Sequence, residues 1–134
     1  MTDKKSLLED LYTDGGAFDI GRAVNALKPI LTIQRGGEGV FYTKEGNALK
    51  NEEKILAYCL VKKLLKQDRV IEDAGTSGKE VHEKTELPKG TVDPVIQKLK
   101  KDGFLAGSGK SYEIPNRRVD SVIDRLEKGV TKNS

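Results

Sequence analysis

The longest uninterrupted helical pattern in this sequence begins at Asn51 and runs to about Lys66. Its apolar residues recur three and four positions apart, as they do on one face of an α-helix. Glu52 and Glu53 lie in the first turn and lysines lie near the end, which is the arrangement that the helix dipole favours. The pattern therefore predicts a long amphipathic helix whose buried face is made of Ile55, Leu56, Cys59, Leu60, Leu64 and Leu65.

Two shorter helices are predicted after a loop that contains Gly75. Ser77 with Glu80 three residues later fits a capping box, which indicates a helix that continues to about Glu86. A tight turn follows, and a third helix is predicted over about 91–101, with Val92, Val95, Ile96 and Leu99 facing inward.

Pro94 determines where we expect the third helix to begin. A proline has no N–H, and it is tolerated in the first helical turn because the N–H groups there are unpaired in any case. We therefore expect Thr91 to be the N-cap. Gly103 is suited to the left-handed position that follows the last turn, so the helix is expected to end before it.

The spacing of the apolar residues changes after this third helix. Residues 104–106 and 110–114 flank a glycine-containing turn and predict a two-stranded hairpin that Pro115 ends. Residues 116–134 then return to helical spacing with a frayed tail from Gly129. Their apolar stripe has to pack either on the long helix of this chain or on a second copy of the chain, and its members are Val119, Val122, Ile123, Leu126 and Val130.

Residues 1–50 predict two short helices and a second hairpin. The helices are expected over Ser6–Tyr12 and over Phe18–Leu27, where the spacing stops before Pro29. The strands are expected at 30–34 and 40–43, on either side of a glycine-rich turn.

The order helix, helix, turn, helix, glycine and two-stranded hairpin over residues 51–114 resembles the winged helix-turn-helix family. The residues that carry the resemblance are Leu87 before the turn, the pair Thr91-Val92, Leu99 seven residues after that valine, and Asp102-Gly103-Phe104-Leu105 leading into the hairpin. The resemblance implies that the third helix lies in the major groove of DNA and that the hairpin, or wing, contacts the neighbouring backbone or minor groove.

The distribution of charge agrees with this expectation. The net charge is only +3, and residues 1–50 carry seven basic and seven acidic side chains. Residues 87–118 carry seven basic and three acidic side chains, a local balance of +4. The third helix and the wing are therefore the part of the chain where a polyanion is expected to bind.

Helical spacing predicts which side chains of the third helix face outward. Gln97 is expected to read a base edge, because an amide can form two hydrogen bonds with adenine. Lys98 and Lys101 are expected to contact guanine or phosphate. Lys89 and the Thr91 hydroxyl, near the positive end of the helix, suit phosphate contacts.

The wing and the residues after it complete the predicted DNA contacts. Ser108, Lys110 and Tyr112 are expected to follow the DNA backbone, and Arg117 and Arg118 to close on it. An alternative interpretation is that the lysines of this region merely solvate an exposed helix face, because one third of the chain is charged.

Other classes of function find no support in the sequence. A single cysteine, Cys59, forms no intrachain disulfide, and one cysteine with one histidine cannot supply the four ligands of a structural zinc site. No apolar run is long enough to span a bilayer and no signal-type segment opens the chain, which predicts a cytoplasmic protein. We expect no catalytic residues, no cofactor and no metal. His82 is expected to be a partly buried structural residue and Cys59 a buried hydrophobic one.

The sequence as a whole predicts an α+β, mainly helical protein. Its expected parts are an N-terminal helix and hairpin extension at 1–50, a winged helix-turn-helix domain at 51–115 with three helices and a two-stranded wing, and a C-terminal helix at 116–134. The first part is expected to be a degenerate second module or a dimerisation extension. The predicted function is double-stranded DNA binding by a homodimeric transcriptional regulator, and the alternative is a winged-helix protein-interaction module.

Overall fold

A computed structural model describes residues 18–35, 39–108 and 111–133 of the chain. Within them the protein is α+β and mainly helical, as the sequence predicts. The elements in chain order are α1 (Ile20–Leu27), β1 (Leu31–Ile33), β2 (Val40–Tyr42), α2 (Lys44–Asn47), α3 (Asn51–Gln67), α4 (Gly78–Thr85), α5 (Lys89–Lys101), β3 (Ala106–Ser108), β4 (Ser111–Glu113) and α6 (Val119–Asn133), with a 3₁₀ turn at Asn116–Arg118. The helix expected at Ser6–Tyr12 lies outside the described residues.

The helix α3 is the centre of the molecule. Its predicted bounds are confirmed to within one residue, but its burial is wider than one stripe, because every residue from Glu53 to Val61 is buried. The helices α1, α4, α5 and α6 all contact it. A helix that is covered on all sides loses its amphipathic character in its middle turns.

The helix α6 packs within the same chain. Val119, Val122, Ile123 and Leu126 are fully buried, and α6 contacts both α3 and α1. Arg22 of α1 reinforces the contact through ion pairs with two acidic residues of α6. The C-terminal stripe is therefore covered by this chain itself, which decides between the two packing alternatives. The tail expected to fray from Gly129 is instead helical as far as Asn133, because Val130 packs against the core.

The hydrophobic core is continuous across the boundary drawn at residue 50. Ala23, Leu27 and Ile30 from the N-terminal part belong to the same buried cluster as Ile55 of α3 and Ile123 of α6. The N-terminal hairpin is confirmed, with Leu31 opposite Tyr42 and Ile33 opposite Val40.

The short helix α2 was not predicted. It begins because the Thr43 hydroxyl accepts a hydrogen bond from the N–H of Gly46 at 3.0 Å, while the Thr43 N–H donates to the carbonyl of Ile30 at 2.8 Å. This capping lets the chain pass directly from β2 into a helical turn.

The predicted start of the third helix is wrong. Pro88, and not Thr91, is the N-cap of α5, so Pro94 lies inside the helix. The earlier start gains hydrogen bonds to the Pro88 carbonyl from the N–H groups of Thr91, at 2.9 Å, and Val92, at 3.0 Å. These bonds offset the one that Pro94 cannot make to the carbonyl of Gly90.

The predicted capping box at α4 is only half formed. The Ser77 hydroxyl accepts a hydrogen bond from the N–H of Glu80 at 3.0 Å, as expected. The Glu80 carboxylate does not return to the backbone of Ser77, because it accepts hydrogen bonds from Tyr58 and Lys62 of α3 instead. The contact of Glu80 with α3 has replaced the hydrogen bond that Glu80 would make to Ser77 in a complete capping box.

Candidate nucleic-acid interface

The hairpin beside α5 has a third strand-like segment that the sequence did not predict. Thr76 pairs with Tyr112 through two backbone hydrogen bonds of 2.8 and 2.7 Å. The strand β4 therefore has Thr76 on one side and β3 on the other. One residue that pairs from within a polar loop produces no alternation of apolar and polar residues by which a strand could be predicted. The neighbouring Gly75 is the one local indication of the pairing, since a Cβ there would lie 2.0 Å from the Ser111 hydroxyl.

The inward and outward faces of α5 agree with the helical spacing. Val92, Ile96 and Leu99 are 0–2% exposed. The opposite side of the helix is open to solvent and carries Gly90, Pro94, Gln97 and Lys101. We call these four residues, together with Lys89, which is exposed at the start of the helix, the outer face of α5. The structure thus brings a base-reading candidate and two lysines onto one exposed surface.

Lys89 and Lys101 lie at the two ends of the outer face. Neither lysine forms an ion pair with any part of the chain that the structure describes. Both ammonium groups are therefore available to an external anion. Thr91, by contrast, is half-buried and has moved from the predicted N-cap position into the first turn.

Lys98 is engaged by an acidic residue of the same chain. Its ammonium lies 2.7 Å from Glu52 at the start of α3, and Glu52 is also paired with Arg125 of α6. The hydrogen bond from Lys98 lowers the pKa of Glu52 and raises that of Lys98 itself. Lys98 is still exposed, but an external phosphate would have to compete with Glu52 for it.

Tyr112 does not occupy the position that the DNA-contact prediction requires. It is 7% exposed, so its ring belongs to the core and not to a surface that could follow a DNA backbone. Period-two alternation places Tyr112 inside, because β4 has one buried and one open face. Its hydroxyl does reach the outer face of α5, where it accepts a hydrogen bond from Nε2 of Gln97 at 3.4 Å.

The remaining predicted wing contacts are only partly described. Ser108 ends β3, and Lys110 lies outside the described residues. Arg117 is exposed, as a phosphate contact requires. Arg118 is half-buried, with its guanidinium 5.9 Å from the centre of the Phe104 ring, so a packing role already occupies it.

His82 and Cys59 both have structural surroundings. Nδ1 of His82 lies 2.6 Å from the carbonyl oxygen of Leu87, where an Nδ1–H donates and ties α4 to the turn before α5. Cys59 is 1% exposed, and burial raises the pKa of its thiol to about 12. A thiol with that pKa is not a nucleophile at neutral pH.

No group of three or more His, Cys, Asp or Glu side chains among residues 18–35, 39–108 and 111–133 could hold a metal ion. None of the helices in these ranges is both long enough and apolar enough to cross a membrane.

Comparison with protein-family models, with curated proteins and with solved structures found no match to this chain. A function therefore has to be inferred from the residues and geometry of the chain itself.

Proposed function

We propose that the protein is a winged helix-turn-helix regulator of transcription that binds double-stranded DNA through the outer face of α5. The observation that carries the proposal is the composition of that face. Gly90 and Pro94 have no long side chains, Gln97 and Lys101 lie on the same side of the helix, and Lys89 is exposed at its start. An α-helix with such a face fits the major groove, where an amide reads adenine and lysines meet phosphate or guanine.

The packing behind α5 supports the same proposal. A buried stripe holds α5 against α3 and α4, and the hydroxyl of Tyr112 in β4 accepts a hydrogen bond from Gln97 of α5. This order of three helices followed by a hairpin supports the proposal. Arg117, which follows the wing, is exposed and suits a contact with the flanking backbone.

A salt titration tests the proposal. Anisotropy of a labelled mixed-sequence duplex should give an affinity whose logarithm falls linearly with the logarithm of salt concentration. Lys89→Gln and Lys101→Gln should each reduce that slope by about 1, because each removes one phosphate contact. Lys28→Gln, which changes an exposed lysine at the C-cap of α1, is the matched control and should leave the slope unchanged. Absence of duplex binding at low salt would contradict the proposal.

A second candidate, a protein-interaction module, is favoured by an apolar groove on another side of the molecule. Ile20, Val24 and Ile33 are 44%, 39% and 38% exposed, and with Leu64 and Leu65 they line a cavity of about 400 Å³. Exposed apolar surface of this kind marks contact sites.

The proposed homodimer also relies on this groove, because the C-terminal stripe is buried within the chain. Sedimentation of the wild type and of Val24→Lys tests the dimer. A dimer that dissociates in the variant supports it, and a wild-type monomer at all concentrations contradicts it.

A further inference from the structure

A second cavity, of about 460 Å³, lies between α3 and α4. Tyr58, Lys62 and Leu65, which follow one another along one face of α3, form one wall, and Glu80 of α4 forms the opposite wall. Val40 of β2 and Ile71 of the loop after α3 close two further sides. None of these residues belongs to the outer face of α5.

The inner end of this cavity is a polar cluster in a mostly buried position. Tyr58 is 4% exposed, and the side chains of Lys62 and Glu80 are 14% and 29% exposed. Tyr58 and Lys62 both donate hydrogen bonds to the same oxygen of Glu80. The bond from the Lys62 ammonium is 2.8 Å long. Burial acts to raise the pKa of Glu80, but these hydrogen bonds outweigh it and the pKa is lowered, so the carboxylate is charged.

A charged cluster of this kind contributes little to the stability of a contact between two helices. Burying an ion pair loses hydration that the pairing recovers only in part, and apolar side chains of similar volume often stabilise such a position better. The α3–α4 contact near Val81 is apolar in this way. A polar cluster that opens into a cavity is consistent with a role in binding.

The charges of the cavity favour an anion. Among the described residues that line it, Lys62 carries a positive charge beside the carboxylate of Glu80. The Glu80 carboxylate already accepts two hydrogen bonds, while the Lys62 ammonium has three N–H groups and uses one of them for Glu80. A carboxylate would accept hydrogen bonds from the two remaining N–H groups of Lys62, whereas a cationic ligand would meet the like charge of that ammonium.

The rest of the cavity favours an apolar group on the same ligand. Val40, Leu65 and Ile71 present aliphatic carbon, and the ring of Tyr58 presents an aromatic surface. We propose that this cavity binds a small organic carboxylate whose compact apolar group packs between β2 and α3. The inference does not depend on the proposed DNA binding.

Chemical-shift mapping of the full chain with three probes of similar shape tests the inference. Phenylacetate is the carboxylate, 2-phenylethanol is the neutral probe and 2-phenylethylamine is the cation. Phenylacetate should give saturable amide shifts confined to β2, the second half of α3, residue 71 and α4, with weaker shifts for the alcohol and none for the amine. Absence of saturable shifts with phenylacetate, or equal binding of the amine, would overturn the inference.

Two variants locate the bound probe. Lys62→Gln should weaken phenylacetate binding by about tenfold or more, which corresponds to one charge-assisted hydrogen bond. Lys66→Gln, one turn further along α3 and exposed, is the matched control and should bind as the wild type does. Val40→Phe keeps every charge and fills part of the cavity, so it should also weaken binding. Unchanged affinity in a folded Lys62→Gln or Val40→Phe variant would overturn the assignment.

Discussion

At Gly46 two segments of backbone approach more closely than any side chain permits. A Cβ at this position would lie 2.0 Å from the carbonyl oxygen of Ile30, which is part of the buried core. Gly46→Ala therefore forces the N-terminal hairpin away from α2 and should lower the free energy of unfolding by about 1–3 kcal/mol, as overpacking does. Urea unfolding of the wild type and the variant measures this loss of stability.

Gly90→Ala is the matched comparison for that experiment. Gly90 is helical and a Cβ there meets nothing within 4 Å. Alanine should therefore stabilise the protein by a few tenths to about 1 kcal/mol. Equal effects of the two substitutions on the urea midpoint would contradict the close approach at Gly46.

Glu52 limits what Lys98 contributes to the proposed DNA surface. Glu52→Gln removes the charge that competes with phosphate, so duplex affinity at low salt should rise severalfold and the salt slope should steepen by up to about 0.9. Glu72→Gln makes the same charge change at an exposed loop position and should have a smaller effect. If anisotropy gives equal changes for the two variants, Lys98 has no specific role.

The buried thiol of Cys59 makes stability depend on alkaline pH. The usual thiol pKa is 9.0, and burial raises it to about 12 in the folded protein. Above pH 9 the unfolded chain therefore binds fewer protons than the folded chain, and the free energy of unfolding falls by up to about 1.4 kcal/mol per pH unit. The contribution is fully present below pH 9.

Cys59→Ala separates this effect from that of the buried tyrosines. Burial also raises the pKa values of Tyr42 and Tyr58, but both tyrosines remain in the variant. Urea unfolding between pH 8 and pH 10 should show a shallower decline for the variant than for the wild type. Parallel declines would show that the thiol does not titrate differently in the two states.

At the scale of the element, capping determines how α4 begins. The Ser77 hydroxyl satisfies the N–H of Glu80, so Ser77→Ala should cost about 1 kcal/mol of stability by urea unfolding. Ser121→Ala, within α6, is the control and should change stability by less than about 0.5 kcal/mol. A similar loss in both variants would mean that the Ser77 cap contributes little.

The sequence predicted most elements where one local rule dominates. The helix α3, the stop at Gly103 and the presence of both hairpins follow from hydrophobic period, left-handed glycine and turn residues. The strand predicted at 104–106 was placed too early, because Gly107 and Ser108, expected in the turn, pair with Tyr112 and Ser111. The start of α5 was wrong because a rule about Pro94 was weighed without the hydrogen bonds that an earlier start adds at Pro88. The Thr76 strand was missed because its pairing partner lies 36 residues away in sequence.

At the scale of the whole molecule, the N-terminal part and the rest share one core. Ala23, Leu27, Ile30 and Leu31 cover α3 and α6, so a fragment of residues 51–134 would expose the surfaces they bury. We expect this fragment to lose cooperative thermal unfolding and amide-shift dispersion, while the full chain retains both. A fragment that unfolds cooperatively at the temperature of the full chain would contradict a shared core.

Part of the candidate surface could be predicted from the sequence, and part of it depends on the tertiary structure. Helical period alone placed Gln97 and Lys101 outward and Val92, Ile96 and Leu99 inward, because the angle between residues of one helix is fixed by local geometry. It could not show that Glu52 engages Lys98 or that Tyr112 turns inward, because both depend on elements distant in the chain.

The sequence by itself determined which segments are helical, where most of them end, and which side of each is apolar, since propensity and period act within a few residues. Only the tertiary structure decided that α6 packs on its own chain, that Ala23, Leu27 and Ile30 join the core around α3, and which lysines stay open to an anion. Those outcomes depend on which surfaces meet, and side-chain burial and ion pairing between distant residues leave no periodic trace in the sequence.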